Sequence, residues 1–196
     1  MSTGPDANHL YEIAESQAGY FTARQATRAG YTWERLSHHA KMGRFQRVSH
    51  GIYRLTQFPA SSYEDLHIAL LRTGPKSVIS HESALSVYEL SDVLPAQVHV
   101  IVPRTASRRR LGLRLHTNRL ASEDITMREG LRITTPARTI VDVAAGGLSA
   151  EHVQRAIEEA LQRGLATRDE LFSQAERRSN RVARNIRRMA ATVSHA

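Results

Sequence analysis

Arginine dominates the chemistry that this chain can offer a partner. Of its 196 residues, 27 are basic and 19 acidic, and only Lys41 and Lys76 among the basic residues are lysines. The planar guanidinium group forms paired hydrogen bonds with phosphates and with guanine edges. Together with the formal net charge of +8, this bias favours a polyanionic partner, either nucleic acid or an anionic membrane surface. Codon bias in a G+C-rich genome is the alternative source of the same composition.

The first sixty residues have the pattern of a winged helix-turn-helix. Apolar spacing predicts three short helices, over 10–18, 23–29 and 33–42. Thr22 and Thr32 stand where N-caps of the second and third helices belong, and Gly30 separates these two helices. Strand-like runs over 45–49 and 52–56 follow, joined by the tight link His50-Gly51. A helix pair followed by a basic hairpin is typical of a domain that binds DNA.

In such domains the second helix of the pair enters the major groove. A helical wheel that turns Leu36 to the core also places Trp33 there. The candidates for reading base edges lie at the start and on the outer face of this helix: Thr32, Arg35 and His38. The candidates for phosphate contacts are the cations that follow: Lys41, Arg44, Arg47 and Arg54. The alternative is that these are solvated polar residues of a helical domain that contacts protein.

The segment 59–62, a proline with small polar residues, is the best candidate boundary. Beyond it the period predicts helices over 63–71 and 80–90 and strands over 98–102, 111–117, 125–127 and 131–134. Pro136 and Arg138 then open a helical run over 140–145, and further helices are predicted over 150–163, 168–177 and 181–193. We therefore expect an α+β fold in two domains. A winged helix-turn-helix occupies 1–58, and a mixed α/β domain with a small sheet and C-terminal helices occupies 61–196.

A second basic segment lies between two of the predicted strands. Residues 104–110 include Arg108, Arg109 and Arg110, which could contact phosphate groups. An ordinary solvated loop is the alternative. The C-terminal run 181–193 is also rich in arginine, but it lacks the bulky apolar face that binds a membrane surface. We therefore expect no membrane partner.

Several classes of site find no support in the sequence. The chain has no cysteine, which excludes disulfides, thiolate zinc sites and a cysteine nucleophile. Its ten histidines have no known metal-ligand spacing, since His81-Glu82 lacks the second histidine of a metalloprotease helix. Phosphate-loop, dinucleotide and nucleophilic-serine motifs are also missing. We expect no metal, no cofactor, no catalytic residue and no enzymatic activity. Without an evident leader or membrane-spanning run, we expect a cytoplasmic location.

Six segments in order resemble the AbiEi-type antitoxins. The segments GYFTARQA at 19–26, GRFQRV at 43–48 and GIYR at 51–54 look like the N-terminal winged helix of that family. The segments HESAL at 81–85, VHVIVP at 98–103 and TTPARTIVD at 134–142 resemble its C-terminal antitoxin domain. The resemblance runs from about residue 10 to about residue 171.

This resemblance implies the antitoxin of a type IV toxin–antitoxin system, linked to abortive infection by phage. Members of the family repress their own operon by binding inverted repeats through the winged helix. They counter a nucleotidyltransferase-like toxin without forming a stable complex with it. The recognition helix would then fall on 32–42 and the wing on 45–56, and the protein would be a monomer in solution or a dimer on DNA.

The signature of the C-terminal antitoxin domain falls on Thr135, Pro136, Arg138, Thr139 and Asp142. These residue types suggest no specific chemistry. Arg138 and Asp142 are four residues apart on one predicted helix, so we expect them to form a structural ion pair.

Two other functions stay open from the sequence. One is a stand-alone transcription regulator whose C-terminal domain dimerises or senses a ligand. The other is a winged helix joined to a small endonuclease domain. A nuclease of that kind needs clustered acidic residues and a nearby lysine, and neither Lys41 nor Lys76 lies in such a cluster. We therefore place the antitoxin first.

Overall fold

A computed structural model of the chain describes residues 4–106, 108 and 110–191. The described residues form two compact units: residues up to Pro75 with Met127–Leu131, and Lys76–Thr126 with the residues from Arg132 onwards. The fold is α+β, as predicted, with two small sheets. The proposed domain division at 58–61 remains a prediction, and the compact units divide further along the chain, after Pro75.

The first unit is built on the predicted helix pair and hairpin. Its elements are α1 Ala7–Glu15, β1 Tyr20–Thr22, α2 Ala23–Arg28, α3 Trp33–Lys41, β2 Phe45–Ser49, β3 Ile52–Leu55 and α4 Glu64–Thr73. The strands form an antiparallel sheet in the order β1-β3-β2. Helix α4 belongs to this unit, and the hydroxyl of Tyr20 on β1 donates to Glu64 at its start over 3.0 Å.

Local hydrogen bonds explain where these helices begin. The hydroxyl of Thr22 accepts from the backbone N–H of Gln25, whose side chain accepts from the N–H of Thr22. This capping box satisfies two donors at the start of α2. Thr32 caps α3 by accepting from the N–H of Arg35. The two caps therefore fix where α2 and α3 begin.

Aromatic packing forms the core under α3 and the wing. Phe21, Leu36, Phe45 and Tyr53 are buried in one cluster. The rings of Phe21 and Phe45 meet edge to face at 5.2 Å. The inner face of α3 and the start of β2 pack in this cluster, and the opposite face of α3 remains exposed.

The second unit is built on a mixed sheet, of which residues Met127–Leu131 are grouped with the first unit. Its strands are β4 Val78–Ile79, β5 Val98–Ile101, β6 Leu113–His116, β7 Ile125–Arg128 and β8 Leu131–Thr134. Its helices are α5 His81–Val87, α6 Pro136–Gly146, α7 Ala150–Gln162, α8 Arg168–Arg178 and α9 Asn180–Ala191. The strand order is β6-β5-β4-β8-β7. Strand β5 pairs parallel with β6 and antiparallel with β4, which in turn pairs parallel with β8.

The structure corrects several details of the prediction. Strands β1 and β4 were not predicted, because runs of three and two residues are too short to show a period of two. Helix α6 begins at Pro136, the residue predicted to open this run. Among the described residues, no helix is long and apolar enough to cross a membrane.

Trp33 is the main error in the predicted core, since 58% of its surface is exposed. It is the first residue of α3. Side chains on a helix lean towards its N-terminus, so Trp33 projects past the end of the packed surface.

Candidate functional site

The outer face of α3 carries the predicted base-reading residues. Thr32, Arg35 and His38 are all exposed, and Leu36 behind them is buried. Lys41 is exposed in the last turn. The chain therefore presents hydroxyl, guanidinium, imidazole and ammonium groups along one side of a single helix.

This helix also exposes groups that the sequence analysis did not assign to a partner. Trp33 lies at its N-terminal end, and Met42, with 64% of its surface exposed, caps its C-terminal end. Glu34 is an acidic residue in the first turn, where it faces the positive end of the helix dipole. Hydrogen bonds with its own backbone and with Thr32 lower the pKa of the Glu34 carboxyl. Glu34 is thus an anion on an otherwise cationic face.

His39 differs from its neighbour His38 because it belongs to the packed side of the helix. Its ring stacks on Phe45 at 4.8 Å. Burial, with the positive charge of Arg44 nearby, lowers the pKa of His39. This ring is therefore neutral at physiological pH and serves packing rather than charge.

The hairpin supplies exposed cations beside its turn. Gly51 takes a left-handed conformation there, with φ of 67°, which allows the tight reversal between β2 and β3. Arg44 and Arg47 are exposed, and the Arg47 guanidinium contacts the ring nitrogen Nδ1 of His50 at 3.3 Å. Phe45, the residue after Arg44, is buried in the core. The core therefore holds the start of the strand that carries Arg47 and follows Arg44.

Arg54 does not fit the predicted phosphate-binding role. Only 9% of its surface is exposed. Its guanidinium donates to the backbone carbonyl of Phe58 and to the side-chain oxygen of Gln46 on the paired strand. Because β3 is the central strand of its sheet, Arg54 ties the wing to the chain that follows. With its guanidinium engaged in this way, Arg54 does not belong to the cationic surface of the wing.

The second basic segment lies in the second unit. Arg108 is exposed and Arg110 is half-buried, whereas Arg109 lies outside the described residues. A short 3-10 turn over Arg104–Ala106 precedes them. The two described residues remain candidates for phosphate contacts.

The antitoxin-domain signature builds the start of α6. The hydroxyl of Thr135 accepts from the N–H of Arg138, and Pro136 occupies the first turn. The hydroxyl of Thr139 lies 2.7 Å from that of Thr134. Arg138 donates to Asp142 over 2.8 Å, which confirms the predicted ion pair.

Arg138 is also the centre of a larger buried network. It donates to the carboxylate of Asp124 over 2.8 Å and to the carbonyl of Arg119 over 3.2 Å. Asp124 accepts further bonds from Gln174 and Arg177 on α8. Burial raises the pKa of the Asp142 carboxyl against the opposing effect of Arg138. The signature residues therefore join α6, α8 and the turn before β7, and their role here is structural.

A cluster of histidines is the feature that sequence spacing missed. His81, His99 and His116 each bring one ring nitrogen to within 4.8 Å of the others. The rings of His81 and His116 stack at 3.6 Å, and Oε2 of Glu82 lies 2.5 Å from Nδ1 of His99. Of the described residues, these form the one group with the composition of a metal site. The available signal was that His99 and His116 lie in neighbouring predicted strands.

Comparison with known families gives two matches that together span most of the chain. Residues 8–56 match the family model described as a transcriptional regulator, AbiEi antitoxin. Residues 77–191 match the model described as the AbiEi antitoxin C-terminal domain. A search of curated proteins found no match.

Proposed function

The chain belongs to the AbiEi antitoxin family, and on this premise we propose that it represses its own operon and counters a nucleotidyltransferase-like toxin. The observation that carries the DNA-binding part is the exposed polar and cationic face of α3 beside an arginine-bearing wing. Such a protein acts where DNA is, in the cytoplasm, and it needs no catalytic residue of its own. On an operator with inverted repeats, two copies would bind one symmetric site.

We assign the α3 residues to sequence discrimination and the flanking cations to affinity. Thr32, Arg35 and His38 can reach base edges when α3 enters the major groove. Lys41, Arg44 and Arg47 can neutralise phosphates on either side. Trp33 adds an exposed apolar surface at the end of the helix that enters first. The exposed Arg108 and the half-buried Arg110 can add phosphate contacts from the second unit.

The decisive experiment is fluorescence anisotropy with DNA from upstream of the gene and with a scrambled duplex, over a series of salt concentrations. Arg35→Ala should cost about 1–3 kcal/mol on the operator and little on the scrambled duplex. Arg47→Ala should weaken both duplexes and lower the salt slope by about 1. Arg155→Ala, an exposed arginine on α7, is the matched control for loss of one charge. Equal losses on both duplexes for Arg35→Ala and Arg47→Ala would refute this division of roles.

The toxin-directed part needs a separate test. The full chain and its Arg35→Ala variant are each co-expressed with a nucleotidyltransferase-like toxin encoded beside the gene, and growth is scored. We expect both to restore growth, because the proposed protection does not pass through base reading. A failure of the unaltered chain to restore growth would refute the antitoxin role and favour a stand-alone regulator.

A further inference from the structure

Three histidines from separate elements of the second unit meet at one place. His81 is the first residue of α5, His99 lies on β5, and His116 ends β6. Strand pairing places two of them on the same face of the sheet. His99 on β5 is in register with Arg114 on β6, and His116 follows Arg114 by two residues, so its side chain points to the same face. The strand register therefore brings the rings of His99 and His116 together.

The backbone around His81 is held in an unusual conformation. His81 has φ of 51°, a left-handed value that is rare for residues other than glycine. Its ring nitrogen Nδ1 contacts the hydroxyl of Ser80 at 2.9 Å, which leaves Nε2 for another partner. The N–H of Ser80 donates to the carbonyl of His99, and the hydroxyl of Ser83 accepts from the N–H of His99. These bonds attach the start of α5 to β5 and fix the backbone that carries His81 and His99.

The composition of the cluster suits a cation. His81 and His99 are buried, and His116 and Glu82 are partly buried, so the four side chains meet where water has little access. Oε2 of Glu82 lies 2.5 Å from Nδ1 of His99. The site thus holds a carboxylate among imidazoles, and imidazole and carboxylate are groups that bind transition metals.

We propose that His81, His99, His116 and Glu82 bind one divalent transition-metal ion of the zinc class. Ligand atoms around a tetrahedral zinc ion, with bonds of about 2.0–2.1 Å, lie roughly 3.3 Å apart. Nε2 of His116 already lies 3.4 Å from Nδ1 of His99. Nδ1 of His99 also lies 2.5 Å from Oε2 of Glu82, which is too close for two ligands of one ion. On metal binding this nitrogen therefore gives up any proton that it shares with Glu82, and the carboxylate moves away by about 1 Å. One of the two stacked rings, His81 or His116, has to rotate so that both lone pairs converge on the ion.

An entry path reaches this cluster. A cleft beside it is lined by Glu82, His99 and Arg114, together with apolar residues such as Leu94 and Pro95. Glu82 is only partly buried, so a hydrated ion can meet its carboxylate first. Imidazole with carboxylate suits zinc, copper, iron and nickel, whereas magnesium and calcium prefer all-oxygen sites.

The test uses the full, untagged chain after dialysis against a chelator, titrated with Zn²⁺ by calorimetry and with Co²⁺ by visible absorption. We expect one Zn²⁺ per chain and the strong visible bands of four-coordinate Co²⁺. His116→Gln and Glu82→Gln should each weaken binding at least tenfold, since even the loss of an outer-shell partner costs about 10–100-fold. His67→Gln, which removes a buried histidine of the first unit, should leave the affinity unchanged.

Two results would overturn the proposal. One is an unaltered chain that takes up no stoichiometric Zn²⁺. The other is equal affinity in the unaltered chain, His116→Gln and Glu82→Gln, which would assign the ion to other histidines. Circular dichroism checks that each variant is folded, and Glu82→Gln, which keeps the size of a partly exposed side chain, stands in if His116→Gln fails to fold.

Discussion

Replacing Arg138 by methionine should strongly destabilise the second unit. The variant loses two charge-assisted hydrogen bonds of 2.8 Å, to Asp124 and Asp142. Asp124 keeps its bonds from Gln174 and Arg177. Asp142 is fully buried and keeps a longer contact with Asn118 at 3.4 Å, so most of the cost falls there.

Breaking a buried pair by removing one partner typically costs about 3–5 kcal/mol, because the remaining charge is left without compensation. We expect a loss of that size in the free energy of unfolding for Arg138→Met, measured by urea denaturation at neutral pH. Arg155→Met is the control. Arg155 also pairs with two carboxylates, those of Asp92 and Glu159, but 54% of its side chain is exposed. Exposed ion pairs contribute little, and its variant should unfold almost as the unaltered chain does.

Two further measurements isolate the unpaired charge as the cause. Burial raises the pKa of Asp142, and without Arg138 that pKa should rise further. A carboxyl with a raised folded-state pKa lowers the stability of the fold as pH increases through that pKa, so the deficit of Arg138→Met should shrink as pH falls below neutral. Adding Asp142→Asn should recover part of the loss. Similar small losses for the two arginine variants, or no recovery on removing the charge of Asp142, would refute this reasoning.

Three other predictions test the first unit. At Gly19, where φ is 90°, an added Cβ would lie 2.5 Å from Cβ of Phe58, whereas at Gly43, with φ of 70°, it would meet nothing within 4 Å. Gly19→Ala should therefore cost about 1–3 kcal/mol more than Gly43→Ala in urea denaturation, and equal costs would contradict the proposed clash. Burial lowers the pKa of His67 to about 4, so folding should weaken by up to about 3 kcal/mol as pH falls from 6.5 to 4, where the unfolded chain takes up the proton. His67→Gln should reduce that dependence, and an unchanged pH profile would count against it. Trp33→Ala should leave the free energy of unfolding unchanged and weaken operator binding by roughly tenfold, the size of one good base contact; a loss of stability would mean that Trp33 packs in the core.

The helix-turn-helix could be predicted because its signals are local. The capping residues Thr22 and Thr32, the intervening Gly30 and the link at Gly51 each act within a few residues of their own position. The ion pair of α6 could be predicted for the same reason, since its partners are one helical turn apart. Periodicity could also find most of the sheet, because the strands β5, β6, β7 and β8 are each four residues long.

The exposure of Trp33 and the burial of Arg54 depend on long-range packing, so they could not be predicted from local sequence. A helical wheel gives the direction of a side chain but not the point at which the packed surface ends, so it placed Trp33 in the core. The charge of Arg54 predicts a wing cation, yet β3 is the middle strand of three. A residue there has a paired strand on each side. The partner Gln46 follows from the strand pairing, and the partner Phe58 lies in the chain just after β3.

The histidine cluster also depends on long-range packing, here between residues that are farther apart along the chain. His99 and His116 lie 17 residues apart, and neither belongs to a short motif of known ligand spacing. Their approach depends on parallel pairing between β5 and β6 in one register, and a shift by one residue would turn His116 to the other face. A search for ligand pairs at fixed spacing within one helix therefore cannot find such a site. Pairing adjacent predicted strands, and asking which polar side chains then share a face, is the sequence-based search that can identify this pair.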